Sequence, residues 1–314
     1  MGNLLSGVAM STLVLHHYKE SPYAEKVRAL LGYKGLAWQS VNVPRIAPKP
    51  DLTALTGGYR KVPVLQRGAD IYCDTRLILA VIAQLHPEPP CRSQPGHFNE
   101  VVEHWVDVSL FAKAVAYTFG RNVDHLPDVL LADRAALRGA PLDRQALKDA
   151  VPLAAMELGR HIGWIEQGLL GAGPFVNGSH PGTGDFTLYS TIWFAVQGGL
   201  DLTPWPAVAA WFARIQAFGH GQRSELPAAD ALAMAAQAQP RALTDPRTEA
   251  DPSGLALGQM VRVTPELLGH GTSVRGELVG LDADRLTVLV LSEACGALHV
   301  HFPRQGYRLQ GEPA

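Results

Sequence analysis

Cysteine is scarce. The 314 residues hold three, Cys73, Cys91 and Cys295, and no C-x-x-C pair. That excludes a disulfide framework and a cysteine-built zinc site, and it fits a reducing compartment. Charge of one sign is also lacking, with a net of −2. Nucleic-acid binders usually carry a basic stripe, so nucleic acid is not expected as a partner. No apolar run reaches the roughly 18 residues of a membrane helix, which removes a membrane span. The opening MGNLLSGVAMS has neither the basic start nor the long apolar core of a secretory signal. A soluble cytoplasmic protein is the expectation. No internal repeat is visible.

What is present is ample apolar material, 47% of the chain. At this length two or three domains are expected. Thr12 to Tyr18 is an apolar, β-rich run. Ser21 is a good helix cap, Pro22 suits a first helical position, and Ala24, Val27 and Leu31 recur at helical spacing. Trp38 to Val43 reads as a strand, Pro44 to Lys61 as a Pro-rich loop, Val62 to Gln66 and Ile71 to Cys73 as a hairpin, and Thr75 to Leu85 as a helix. The order β-α-β, loop, β-β-α defines a first domain over 11–86. After the linker His86 to Gly96, residues 96–219 are almost wholly helical, with one long helix expected from Asp143 to Leu170. Residues 220–256 are rich in Ala, Pro, Asp and Gln and read as a linker with one Ala-rich helix near Ala228 to Ala238. From 257 to 311 the apolar period changes to two, as in Leu286/Val288/Val290, which suggests a small β-barrel.

Three short stretches carry chemistry. At Ser21 a helix begins, and its free N–H groups and partial positive charge stabilise an anion. A thiol reacts as thiolate, and such a position lowers its pKa, while a hydroxyl donates one more hydrogen bond. Ser21 is also simply a good N-cap. Val62-Pro63 opens a strand; if the bond is cis, the main chain of Val62 is presented to an extended peptide, and base rates favour trans. Asp74-Thr75 opens a helix. The pair is a cap, and it also suits the free end of an α-amino acid: a carboxylate for the ammonium, a hydroxyl and helix N–H groups for the carboxylate.

In this order and spacing the stretches resemble the glutathione S-transferase superfamily, over residues 12 to about 218. Ser21-Pro22-Tyr23-Ala24-Glu25-Lys26-Val27-Arg28 is similar to the first-helix motif of serine-type members. Lys61-Val62-Pro63-Val64-Leu65 is similar to the cis-proline strand. Asp74-Thr75 stands where Glu-Ser is usual, with a shorter acid. Phe175 to Phe186 and Pro206 to Ile215 resemble the core and late helices of the second domain. The resemblance implies an α/β thioredoxin-like N-terminal domain and an all-α helical domain, here followed by a small all-β SH3-like barrel, as in a bacterial member with a C-terminal extension. It implies glutathione as co-substrate and no metal. Ser21 would hold the thiolate. Val62, presented by Pro63, would pair with the cysteinyl main chain. Asp74 and Thr75 would hold the γ-glutamyl end, and Lys61, with Arg60 or Tyr59 as alternatives, the glycine carboxylate. Other members use a tyrosine, so Tyr18 and Tyr23 stand beside Ser21 as candidates to activate the thiol; His16 and His17 as bases are the weaker reading. The core helix usually opens Ser/Thr-x-x-Asp, whereas here Gly182 precedes Asp185.

The expected activity is transfer of the glutathione thiolate to a small electrophile lodged between the first two domains, in a homodimer. A scaffold that binds a protein partner through the barrel is the alternative from another class, and a glutathione-dependent isomerase or dehalogenase shares the same site. His299 and His301 lie on one strand face, but no third ligand is spaced convincingly, so they read as a polar outer face rather than a metal site.

Overall fold

The computed structural model describes residues 12–91, 97–171, 173–244 and 252–312. The readings placed on the first eleven residues and on 92–96 lie outside them. The chain opens with β1 (Val14–His17), α1 (Pro22–Tyr33), β2 (Ala37–Asn42), α2 (Pro50–Thr56), β3 (Val64–Arg67), β4 (Asp70–Cys73) and α3 (Thr75–Leu85). β1 runs parallel to β2 and antiparallel to β3, and β4 pairs antiparallel with β3. This is the expected thioredoxin-like arrangement. One difference is α2, which lies inside the stretch read as a loop. Pro50 occupies the first turn, where its missing N–H costs nothing, and Gly57 at φ 69° ends the helix. Leu52 and Leu55 are buried and anchor it.

The helical part contains α4 (Phe98–Trp105), α5 (Phe111–Asn122), α6 (Asp128–Arg138), α7 (Arg144–Asp149), α8 (Val151–Trp164), α9 (Thr183–Gln197) and α10 (Pro206–Gln216). A wide π turn over 106–110 joins α4 to α5, and another over 165–169 follows α8. The long helix expected from 143 to 170 is broken at Ala150, because Pro152 cannot continue a helix from the preceding turn. α9 is the buried axis, with Phe186, Leu188, Ile192 and Ala195 fully buried.

Asp185 organises the start of α9. Its Oδ1 accepts from the Val176 main chain and from the Trp211 indole N–H, both at 2.8 Å. Its Oδ2 accepts from the main chain of Gly182 at 2.9 Å and of Asn177 at 3.1 Å. Gly182 is the N-cap and has no side chain to offer. Asn99 of α4 supplies the missing oxygen, since its Oδ1 accepts from Gly184 N–H at 2.9 Å. The glycine follows from that arrangement: a Cβ at 182 would stand 2.3 Å from Asn99 Oδ1.

Beyond α10 come β5 (Gln222–Glu225), α11 (Ala228–Ala236), β6 (Met260–Pro265), β7 (Val274–Leu281), β8 (Arg285–Ser292), β9 (Gly296–Pro303) and β10 (Tyr307–Gly311). Within 220–256, the expected Ala-rich helix is present as α11, and β5 is an added element that its sequence does not announce. β5 carries no apolar alternation and all four of its residues are exposed; it is held by main-chain pairing with β2. β6 to β10 form a β-rich, barrel-like extension, but it is not loosely tethered. β9 pairs in parallel with β4, so all ten strands form one sheet in the order β10-β6-β7-β8-β9-β4-β3-β1-β2-β5. Both edges of the thioredoxin-like sheet are thus covered, and the ends of the combined sheet shift to β10 and the short polar β5.

The two faces of that sheet bury different cores. Leu15, Leu65 and Tyr72 face α1, α3 and the helical part. Val64, Ile71 and Cys73 share a core with Leu52 and Leu55 of α2 and with Val261, Leu286, Val300 and Phe302 of the extension. His299 and His301 do not line an outer face. They point into the seam with β4, where His301 is 1% exposed.

Removal of the Asn99 side chain is expected to cost about 1 kcal/mol, the usual loss for a helix cap. Gly182→Ser alone should also destabilise, through the clash with Asn99. The double variant N99A/G182S should recover most of the loss, because the new serine caps α9 itself. Urea midpoints of the four proteins test this, and additive losses would refute the shared cap.

Candidate functional site

Three chain segments meet at one end of the sheet. The pairing His16↔Val64 closes the β1–β3 ladder, and Val64↔Cys73 closes the β3–β4 ladder. Val62-Pro63, Tyr18 and Asp74-Thr75 therefore lie side by side just past the ladders, and α1 starts at the same level. The Val62–Pro63 bond is cis. The main chain of Val62 lies outside both ladders.

Ser21 caps α1, and its Oγ accepts from Ala24 N–H at 3.2 Å. The hydroxyl proton has no acceptor among the described residues. An N-cap serine in this state offers one donor, next to the free N–H groups of the first turn. The loop that carries it is fastened by Arg28, which donates to the carbonyls of Tyr18 and Lys19 at 3.3 and 2.8 Å. Arg28 is itself paired with Glu25 at 2.7 Å. Glu25 also accepts from Tyr189 of α9 at 3.2 Å and from His220 at 3.1 Å. Burial pushes the Glu25 carboxyl up, but His220 and Arg28 outweigh it and hold it below its ordinary range.

The histidines at the end of β1 are locked as neutral groups. Nδ1 of His17 accepts from Arg28 at 3.0 Å, which leaves its Nε2–H to donate to Ser40 Oγ at 3.0 Å. Both ring nitrogens are spent, so His17 is not a free base. His16 donates through Nε2 to Gln66 Oε1 at 2.8 Å.

The tyrosines are engaged by other groups. The Tyr18 hydroxyl accepts from Arg134 of α6 at 3.2 Å. Tyr23 packs its ring against Phe111, and burial raises its phenol well above the ordinary value, with Asp107 and Asp74 adding to the effect. The Tyr23 phenol therefore stays protonated near neutral pH.

At the start of α3, Asp74 is the N-cap, and Oδ1 accepts from Arg76 N–H at 2.9 Å. Its φ of 76° is unusual for a side-chain-bearing residue. Such backbone costs about 1–3 kcal/mol and clusters where ligands are held. Thr75 Oγ1 accepts from Lys26 Nζ at 3.1 Å, and Lys26 also lies 3.8 Å from Asp107 in the helical part.

The extension closes over this end. Tyr307 donates its hydroxyl to Asp74 Oδ2 at 3.0 Å and lies 3.2 Å from the Tyr59 hydroxyl. Lys61 Nζ donates to the Leu267 carbonyl at 2.7 Å, and Arg76 donates to Gln305 at 2.7 Å. Burial brings the Lys61 ammonium down to about 8. Arg60 is occupied by Asp133 of α6 at 3.0 Å rather than facing the site alone. Lys49, over the Tyr18 ring, is likewise lowered to about 8 by burial, with Arg134 adding to it. Ser21 is 1% exposed and Thr75 6%, so the site is closed in this state. Cys73, next to it, is fully buried and its thiol is pushed up by that burial, as expected of an inert cysteine.

Residues 15–90 match the family model for the glutathione S-transferase N-terminal domain, and 145–214 that for the C-terminal domain. The crystal structure of a GST-like protein from Pseudomonas syringae superposes with a TM-score of 0.80 at 36% identity, over 96% of this chain and 100% of that one. The chain belongs to the glutathione S-transferase superfamily. Other solved structures share the fold at lower identity. FzlA from C. crescentus gives a TM-score of 0.52 at 21% identity, over 65% of this chain and 88% of its own. A glutathione transferase homolog from Sulfitobacter, with bound glutathione, gives 0.50 at 15% identity, over 66% and 94%. These two cover about two-thirds of the chain, whereas the Pseudomonas relative covers nearly all of it, the extension included. No curated protein matches the chain. Among the described residues, no helix is long and apolar enough to cross a membrane.

The sequence placed Ser21, Lys61, Val62, Pro63, Asp74 and Thr75, and the fold of this superfamily member brings all six to one end of the sheet. It gave no sign of Tyr307, which arrives from 233 residues beyond Asp74. Lys26 and Arg28 had a signal, being part of the first-helix motif, but their partners were not readable.

Burial lowers His16 to about 4, and burial with the Arg28 charge lowers His17 to about 3, while both titrate near 6.5 when free. From about pH 6.5 down to about 4 the unfolded chain binds more protons than the folded one, so stability falls as pH falls through that window. Urea midpoints measured across it should drop steadily. His16→Gln should give a shallower slope, since it removes one of the groups that take up a proton on unfolding; an unchanged slope would remove His16 from this role.

Proposed function

We propose that this protein binds glutathione at the closed end of its thioredoxin-like sheet and conjugates the intact glutathione, through its thiolate, to a small electrophile. The observation that carries the reading is the meeting of three capture elements. The Ser21 donor sits at the start of α1, the Val62 main chain lies outside both ladders, and the Asp74-Thr75 pair opens α3. Together they match the three parts of a γ-glutamyl tripeptide: thiol, central peptide and α-amino-acid end. Ser21 donates its free proton to the thiolate, and the α1 terminus adds its partial positive charge. Lowering the thiol from about 8.5 by two units raises the thiolate fraction at neutral pH well over tenfold. No metal takes part in this transfer. A homodimer in the cytoplasm belongs to the same reading.

One observation favours a second reading, a ligand-holding scaffold with a protein-binding extension. Tyr307 and the Leu267 carbonyl already occupy Asp74 and Lys61. In the enzyme reading these contacts exchange for the ammonium and carboxylate of the tripeptide.

Reduced glutathione should raise the melting temperature of the purified protein, and an activated aryl halide should be conjugated. Ser21→Ala should keep glutathione binding within a few-fold while turnover falls about tenfold or more, because less of the bound thiol is ionised at neutral pH. Binding without turnover in the parent protein supports the scaffold, and no thermal shift at all overturns both glutathione readings.

A further inference from the structure

On the opposite side of the extension's docking strand, three side chains converge that the proposed reaction does not use. Asp70 of β4 stands opposite His299 of β9, and Tyr72 opposite His301. Side chains two apart share a strand face, so Asp70, His299 and His301 come together on one side of the seam. Their nearest ligand atoms all lie within 4.8 Å of one another. His301 Nε2 is 3.1 Å from Asp70 Oδ1, and His299 Nδ1 is 3.8 Å from the same oxygen.

The outward atoms of all three groups are already held. His301 Nδ1 is 2.9 Å from the Thr287 hydroxyl. Asp70 Oδ2 accepts from the Arg241 main-chain N–H at 3.2 Å. His299 is hydrogen-bonded to the Arg241 main chain. Meanwhile His299 Nδ1, which faces Asp70, is buried and has no hydrogen-bond partner among the described residues. Metal-binding histidines typically have one nitrogen fixed by an outer partner and the other aimed at a shared point, and ligating carboxylates are fixed likewise.

We propose that Asp70, His299 and His301 form a binding site for a single borderline divalent cation, with zinc as the best fit. Two imidazoles and one carboxylate are a common donor set for such ions, with a fourth position left to water. Tetrahedral zinc places its ligand atoms about 3.3 Å apart, given bonds of about 2.0–2.1 Å. The observed separations bracket that value, so binding needs side-chain shifts on the order of 1 Å. When the cation binds, His301 Nε2 gives up its hydrogen bond to Asp70. Its proton moves to Nδ1, where the Thr287 hydroxyl accepts it, so the imidazole stays neutral. The Tyr72 ring, stacked on His301 at 4.5 Å, shields one side. Arg241 places its Nε 3.8 Å from Asp70 Oδ2, and its side chain is about half exposed. Because the ligands come from both β4 and β9, the ion would clamp the extension to the sheet.

The test uses the full chain, freed of metal with a chelator. Zinc should bind at one equivalent by calorimetry and raise the melting temperature. Cobalt(II) in its place should show the visible absorption of a low-coordinate site. His299→Gln, at the more open corner, should weaken zinc binding about tenfold or more while circular dichroism stays unchanged. Asp70→Asn should do the same, and if it fails to fold, the His299→Gln result stands alone as the decision. Absence of saturable zinc binding, or equal binding by His299→Gln, overturns the proposal. The readout does not depend on glutathione, so it stands or falls apart from the transferase reading.

Discussion

The parallel pairing of β9 with β4 is the contact on which the rest of this architecture depends. Without it, β4 would be an open edge and the extension a separate body on a string. With it, Val64, Ile71 and Cys73 are covered by Val300, Phe302 and Leu286, and one apolar core runs from α2 to β8. Main-chain hydrogen bonds set the register, and the buried apolar face fixes it, because a slip by one residue would move His299 and His301 onto the face now filled by Val300. The same register carries Tyr307 and Leu267 to the end of the sheet where Ser21, Val62 and Asp74 meet.

The candidate site is built from elements that serve folding and ligand capture together. Ser21 accepts one hydrogen bond to start α1 and keeps its proton for another partner. Asp74 starts α3 in a backbone conformation that few residues other than glycine adopt freely. Arg28 joins Glu25, His17 and two loop carbonyls, so the position of Ser21 rests on buried charge paired within hydrogen-bond range. A buried pair of this kind is costly to break on one side, which makes the loop rigid rather than merely present.

Much of this was legible in the sequence because it is local. Ser21-Pro22 announces a helix start, Thr75 to Leu85 was bounded to the residue, and alternation in Leu286/Val288/Val290 marked the strands of the extension. What was missed is non-local or lacks an apolar pattern. β5 reads QRSE and is held by main-chain bonds alone, so no periodicity betrays it. α2 hid behind Pro44, Pro48 and Pro50, although Pro50 and Gly57 mark its ends. His299 and His301 looked like a solvent face because their third neighbour, Asp70, lies 229 positions earlier and meets His299 only through strand pairing. The docking of Tyr307 on Asp74 has no sequence signature at all.

The cap that α9 borrows from α4 has an evolutionary consequence. A lineage that keeps Asn99 is bound to glycine at 182, and one that adopts serine at 182 must first surrender the asparagine. Each step taken singly passes through a less stable protein, so the pair forms a small ratchet. Two descendants of one ancestor, each locked in its own solution, would show different residues at both positions and the same helix start.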